Sequence, residues 1–239
     1  MRKWRTMKRL LLLLLLLFAA PVALAAPVVP DTVAERARAC LSCHAAEGRR
    51  VKDEYYPRLA GKPAGYLLNQ MLHFSDGRRQ NRAMALLMEN LSDAYLAELA
   101  AYFSTLPATY LPGSVSAAQT ESRPAPALVS QGDPARKIPA CRDCHGKEML
   151  GVAPAIPGLL GLPADYLSAQ FGAWKVGTRR AAAPDCMADI ARQLTEREVS
   201  EMANWLATRP LPADSRPAKA LAAELPMQCG SVTAPAVKP

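Results

Sequence analysis

Two stretches of this chain set a cysteine, two intervening residues, a second cysteine and a histidine in immediate succession: Cys40-Leu41-Ser42-Cys43-His44 and Cys141-Arg142-Asp143-Cys144-His145. Two cysteines three residues apart lie on one side of a helical turn, where both thiols can bond the two vinyl groups of one porphyrin. The next residue then brings an imidazole under the iron. The pattern is therefore the attachment site of c-type haem, and its repetition predicts two haems. Zinc ligation, a thioredoxin-like redox pair or a disulfide within each motif are the other chemistries open to these residue types.

An iron held by His44 or His145 keeps one axial position, and its occupant separates electron transfer from catalysis. The only further histidine, His73, stands where the second copy of the motif context has Ala173, and reads as a partly buried helix residue. Methionine is the remaining candidate. Met84 and Met187 occupy equivalent positions relative to the two motifs, each seven residues before a leucine that precedes a helix, and are the expected sulfur ligands. Met88 is the rival in the first half; a single methionine is more often core filler. Two six-coordinate irons with no evident acid-base set predict an electron carrier without catalytic residues.

The residues around the motifs repeat as well. Tyr56-Pro57-Arg58-Leu59-Ala60-Gly61 answers to Ile156-Pro157-Gly158-Leu159-Leu160-Gly161. Tyr66, Leu67 and Gln70 answer to Tyr166, Leu167 and Gln170, and Phe74, Gly77 and Arg79 to Trp174, Gly177 and Arg179. Three residues are inserted in the second copy after Arg180, and Met84 then aligns with Met187, Leu91 with Leu194 and Tyr102 with Trp205.

The elements that position these residues read as helices. Thr32 and Glu35 form a capping-box pattern opening a helix into the first motif. Ala64 to Ser75 carries Leu67, Met71 and Phe74 on one face and stops near Gly77. A helix from Ser92 presents Leu96, Leu99, Ala100 and Phe103; its counterpart, led by Thr195 and Glu198, presents Val199, Met202, Ala203 and Leu206. No segment shows convincing strand alternation. The expected organisation is a signal peptide over 1–25, a first domain over 26–106, a Pro/Ala-rich linker over 107–134, a second domain over 135–210 and a Pro-rich tail over 211–239. Domains this small have modest cores and should depend on their haem for stability.

Residues 1–25 show a basic start, an apolar run from Leu10 to Phe18 and an Ala23-Leu24-Ala25 end, the layout of an export signal; an uncleaved anchor is the other reading. Five of the 29 basic residues lie there, which leaves 24 against 21 acidic residues and argues against a nucleic-acid partner. Cys186 and Cys229 remain. In an exported protein an even remainder points to a disulfide, with two free thiols or Cys186 as an iron ligand as the alternatives.

The order of these motifs, from Cys-x-x-Cys-His through Pro-x-Leu-x-Gly, Tyr-Leu-x-x-Gln, Gly-x-Arg and the methionine to the last helix, resembles the dihaem cytochrome c4 family over about residues 32 to 208. The resemblance implies an all-α fold of two tandem class I cytochrome c domains, set face to face about a pseudo-twofold axis. It implies thioether attachment through Cys40, Cys43, Cys141 and Cys144, proximal ligands His44 and His145, and distal ligands Met84 and Met187. Pro57 and Pro157 match the proline whose neighbourhood accepts the other N–H of the proximal imidazole. The chain departs from the family at Lys62 and Leu162, where glutamine is usual, at Ala45 in place of glycine, and in its longer tail.

The implied function is a monomeric periplasmic carrier. It would pass single electrons from a quinol-oxidising cytochrome bc complex, or another donor, to a terminal oxidase, by peripheral association with membrane complexes. The alternative is a cytochrome subunit or dedicated acceptor of a periplasmic dehydrogenase or sulfur-oxidising enzyme, with the tail and the insertion after Arg180 as a docking surface. A dihaem peroxidase is the competitor from another class, and would need one iron open to peroxide.

Overall fold

The computed structural model describes residues 30–45, 48–51, 54–109 and 125–236. Thr32–Pro239 forms one compact unit with two separate apolar cores. The expected signal peptide and most of the expected linker lie outside the described residues. Among the described residues, no helix is long and apolar enough to cross a membrane.

The first half opens with helix α1 (Val33–His44), capped by Thr32, whose Oγ1 accepts the Glu35 N–H at 3.2 Å. The Glu35 carboxylate turns to Arg38 at 2.9 Å, so it serves an ion pair on the helix surface. A short antiparallel ribbon follows, β1 (Arg49–Val51) and β2 (Glu54–Tyr56). Then come α2 (Ala64–Ser75), α3 (Arg82–Met88) and α4 (Asp93–Thr105). Helix α2 ends where the sequence places its stop, since Gly77 takes a left-handed φ of +74° that a side chain disfavours. Leu67 and Phe74 of α2 pack against Leu96, Leu99, Ala100 and Phe103 of α4 to make the first core.

The second half repeats the plan. Helix α5 (Ala127–Ser130) leads through a 3-10 turn to α6 (Cys141–His145), the ribbon β3 (Gly151–Val152) and β4 (Ile156–Pro157), and α7 (Ala164–Lys175), α8 (Cys186–Gln193) and α9 (Glu196–Ala207). The capping box at Thr195 and Glu198 is complete, and Val199, Met202, Ala203 and Leu206 are buried. Residues 125–134, placed in the linker by sequence, carry α5, and Leu128 and Val129 lie in the second core. Three prolines within eleven residues, Pro124, Pro126 and Pro134, hid that short helix. Both ribbons went unseen because two or three residues are too few to show alternation.

The halves meet along a reciprocal junction. Gln80 N–H donates to Thr178 O at 2.8 Å and Arg180 N–H to Arg78 O at 2.7 Å, around a bridge between Arg79 and Arg179. Equivalent residues thus exchange places, as a twofold relation requires. The segment after residue 210 packs on the second half: Ala218 bonds Gly151 and Ala153, and Cys229 is joined to Cys186. That disulfide excludes both free thiols and a Cys186 thiolate ligand.

Candidate functional site

Helix α1 carries Cys40, Cys43 and His44 at its C-terminal turn, and α6 carries Cys141, Cys144 and His145. None of the four cysteines is disulfide-bonded, which removes the intramotif disulfide. Burial pushes the Cys40 and Cys144 thiols up and lifts Cys141 to about 11. A thioredoxin-like pair needs the opposite shift, since the thiolate is its nucleophile. Among the described residues no group of three or more His, Cys, Asp or Glu is placed to hold a metal ion, so zinc finds no cage here.

The two histidines are oriented identically. His44 Nδ1 lies 2.8 Å from Pro57 O and His145 Nδ1 lies 2.7 Å from Pro157 O. A carbonyl oxygen only accepts, so Nδ1 carries the proton and donates, leaving the Nε2 lone pair for a metal. Burial lowers both imidazole pKa values, against the opposing pull of the proline carbonyl bonds, and Arg79 lowers that of His44 further. Both rings are held in the neutral form that ligates iron.

The methionines separate by burial. Met88 is 4% exposed inside the first core, and its counterpart in α8 is Ala191, also in a packed position. Met84 is half-buried at the edge of that core, as is Cys40. Met187 lines a deep cleft together with Cys141, Cys144 and His145. Leu162, Leu167, Phe171 and Ile190 give this cleft apolar walls. His73 is buried at 3% exposure on α2 and faces the junction, with its pKa lowered to about 4 by burial and by Arg78.

A porphyrin with two propionates fits this cleft on observations independent of the motif. Trp174 Nε1 is buried in the cleft wall with no hydrogen-bond partner. Lys62 and Arg179, both buried, also line it, and no described carboxylate pairs with either. Burial, then the charges of Arg58, Arg79 and Arg179, brings the Lys62 amine down to about 7. An anionic group entering here would satisfy an orphaned donor and neutralise buried cations.

Sequence reasoning used Tyr66, Gln70, Arg79 and their counterparts only as markers of a repeat. In the structure they form the junction. Arg79 donates to Gln70 Oε1 at 2.9 Å and Gln170 Oε1 at 3.0 Å, and Arg179 to the same two oxygens at 3.2 Å and 2.7 Å. Each guanidinium also reaches the tyrosine of the opposite half and stacks on its own aromatic neighbour, Arg79 on Phe74 at 4.8 Å and Arg179 on Trp174 at 3.9 Å. The tail and the insertion are packed on each other: Ala182 N–H donates to Ser231 Oγ at 3.0 Å and Gly230 N–H to Pro184 O at 2.9 Å.

Duplicated helical units, each presenting two thiols and a neutral imidazole held by a proline carbonyl, define a dihaem c-type cytochrome. A thiosulfate dehydrogenase electron acceptor from Thiomonas intermedia is 37% identical over 92% of this chain and 100% of its own length. A cytochrome c4 from Pseudomonas aeruginosa is 34% identical over 74% of this chain and 87% of its own. A solved thiosulfate dehydrogenase from Marichromatium purpuratum superposes on 72% of this chain with a TM-score of 0.59 and 34% identity, and this chain spans 36% of that longer one. No protein-family model matches. The chain belongs to the cytochrome c4 family: an electron-carrying cytochrome with two covalently attached haem c groups on tandem class I cytochrome c folds.

Proposed function

We propose that this protein accepts single electrons from a thiosulfate-oxidising dehydrogenase in the periplasm and delivers them to a terminal oxidase. The observation that carries the reading is the extent of the match to the Thiomonas intermedia acceptor. The 8% of this chain left unmatched is fewer residues than the tail after residue 210 contains, so part of the tail belongs to the likeness. Export through residues 1–25 places the carrier on the same side of the membrane as such an enzyme.

In this reading Cys40, Cys43, Cys141 and Cys144 form the thioether links. His44 and His145 would be the proximal ligands, and Met84 and Met187 the distal ones. When bound, each haem supplies a one-electron iron couple. The chain's own residues do the rest. Pro57 O and Pro157 O fix the two imidazoles through Nδ1 and keep them neutral. The thioethers of Met84 and Met187 favour ferrous iron and so a relatively high potential. Lys62, Arg179 and the Trp174 N–H would hold the propionates of the haem in the second cleft. Side chains on both sides of each iron would keep exogenous ligands out and limit rearrangement on a change of redox state.

Stopped-flow mixing tests the reading. Thiosulfate and its dehydrogenase from the same host should reduce the purified holoprotein at rates far above those seen with an unrelated c-type cytochrome. Reduction by a quinol-oxidising bc complex alone, with no response to the dehydrogenase, would instead make it a general respiratory carrier.

A further inference from the structure

We propose that the segment 211–236 is a strap, and that its disulfide makes Cys186 and Cys229 positioning residues: they hold Met187 on the second iron and close that haem's pocket. This rests on the reading of Met187 as a ligand.

The strap is fastened at both ends. At its start Ala218 N–H donates to Gly151 O at 2.9 Å and Ala218 O accepts from Ala153 N–H at 2.8 Å, extending the short ribbon beside the second motif. At its end Cys229 is bonded to Cys186, the first residue of α8 and the neighbour of Met187. Gly230 lies so close to the preceding loop that an added Cβ would sit 2.6 Å from Ala182 O. Between these anchors Leu225 and Met227 line the same cleft as Met187, Cys141 and His145, and Val232 does so beyond the disulfide. Asn69 Nδ2 of the first half donates to Ser231 O at 3.2 Å.

The loop that delivers Met187 needs such support. It is three residues longer than its counterpart before Met84, and longer loops have more freedom to lose when a side chain must reach one atom. The Asp185 side chain restrains it from within, accepting from Ala181 N–H at 2.6 Å and Ala188 N–H at 3.1 Å. The strap supplies the remaining restraint from outside. Among the described residues no counterpart of the strap lies on α3: the position matching Cys186 is Ala83, and Leu86 and Leu87 are each 61% exposed. The second pocket thus has covalent and apolar cover with no counterpart among the described residues of the first half.

Full-length holoprotein carrying Cys229→Ser provides the test. Expected is carbon monoxide binding by the ferrous protein rising from none to one molecule per two haems, with a fall in the potential of one haem and none in the other. The weak far-red sulfur-to-iron band of the ferric protein should lose about half its intensity, and all of it in the Met84→Leu background. Should the variant fold poorly, wild-type protein is treated with a dithiol, its two released thiols are capped by alkylation and mapped by mass spectrometry, and the same readings are taken. Met187→Leu is measured alongside. If Met187→Leu opens the haem while both strap-released proteins keep two unchanged potentials and bind no carbon monoxide, the strap has no positioning role. If Met187→Leu itself changes nothing, the ligand assignment fails and the inference falls with it.

Discussion

Replacing Arg179 by leucine should destabilise the holoprotein by about 2–4 kcal/mol. The guanidinium makes two well-formed hydrogen bonds, at 2.7 Å to Gln170 and 3.2 Å to Gln70, and stacks on Trp174 at 3.9 Å. Hydrogen bonds involving a charged group contribute about 1.5–3 kcal/mol each, and a desolvated cation over indole adds roughly 2. Against this stand the desolvation of a buried cation and repulsion from Arg79, which together lower the Arg179 pKa and offset part of the gain. For a unit of this size a urea m-value of about 2–3 kcal/mol/M converts the net loss into a midpoint shift of roughly 1 M. Arg79→Leu should cost about 1 kcal/mol less, because its ring partner is Phe74 at 4.8 Å and the side chain is only half-buried. Tyr66→Phe should cost under about 0.5 kcal/mol, since its hydroxyl meets Arg179 at 3.5 Å, the outer limit of a hydrogen bond. Urea unfolding followed by circular dichroism ranks the three. A midpoint for Arg179→Leu no lower than that for Tyr66→Phe, or a larger loss at Arg79 than at Arg179, refutes the reasoning.

Met88→Leu, a nearly isosteric change in the first core, should cost under about 1.5 kcal/mol and leave the far-red sulfur-to-iron band intact, whereas Met84→Leu should halve it and admit carbon monoxide to one haem; the reverse result transfers the ligand role to Met88. His73 has a folded pKa near 4, below its unfolded value of 6.5, so the unfolded chain binds more protons between those values and stability falls as pH drops from about 6.5 toward 4. With solvent screening the loss is about 1–2 kcal/mol, and His73→Gln should flatten the pH dependence of the urea midpoint across that window. Gly65→Ala places a Cβ 2.8 Å from Pro154 O and 3.1 Å from both Ala155 Cβ and Ala234 Cα, so calorimetry should show a loss of about 1–3 kcal/mol.

What the sequence disclosed depended on how local the signal was. The bounds of α2 are legible because Leu67, Met71 and Phe74 recur at helical spacing and Gly77 supplies the left-handed stop. The Thr195 capping box is equally local, and the Pro57 and Pro157 partners follow from a motif 13 residues after His44 and 12 after His145. The course of the tail is not local: its bonds to Gly151, Ala153, Pro184 and Asn69 join positions far apart in the chain, and only the leftover cysteine pair hinted at one of them. Burial of Lys62 and Arg179, beside the half-buried Arg79, was hidden for another reason. Lysine and arginine are ordinarily solvated, so nothing in their type announces a cation cluster at a junction.

The internal repeat still contained the missing information, in which positions match and which differ. In a twofold junction each residue serves twice: Arg79 bonds the glutamines of both halves, and Arg179 does the same. A change in one copy therefore breaks contacts on both sides of the axis, which explains why Tyr66, Gln70 and Arg79 keep their identities in the second copy. A single strap cannot obey a twofold axis. It passes one side only, and the residues that meet it are those at which the copies part: Gly65, which leaves room for Ala234, faces Asp165 in the repeat, Asn69 faces Ala169, and Cys186 faces Ala83. Asp165 and Ala169 are exposed, with no strap above them. The duplication thus supplied two similar haem sites, and the strap makes them unlike: the second is enclosed by the tail, while the first keeps exposed leucines on its methionine helix. Two haems under unequal cover should differ in reduction potential, because cover decides how well water screens the charge on each iron.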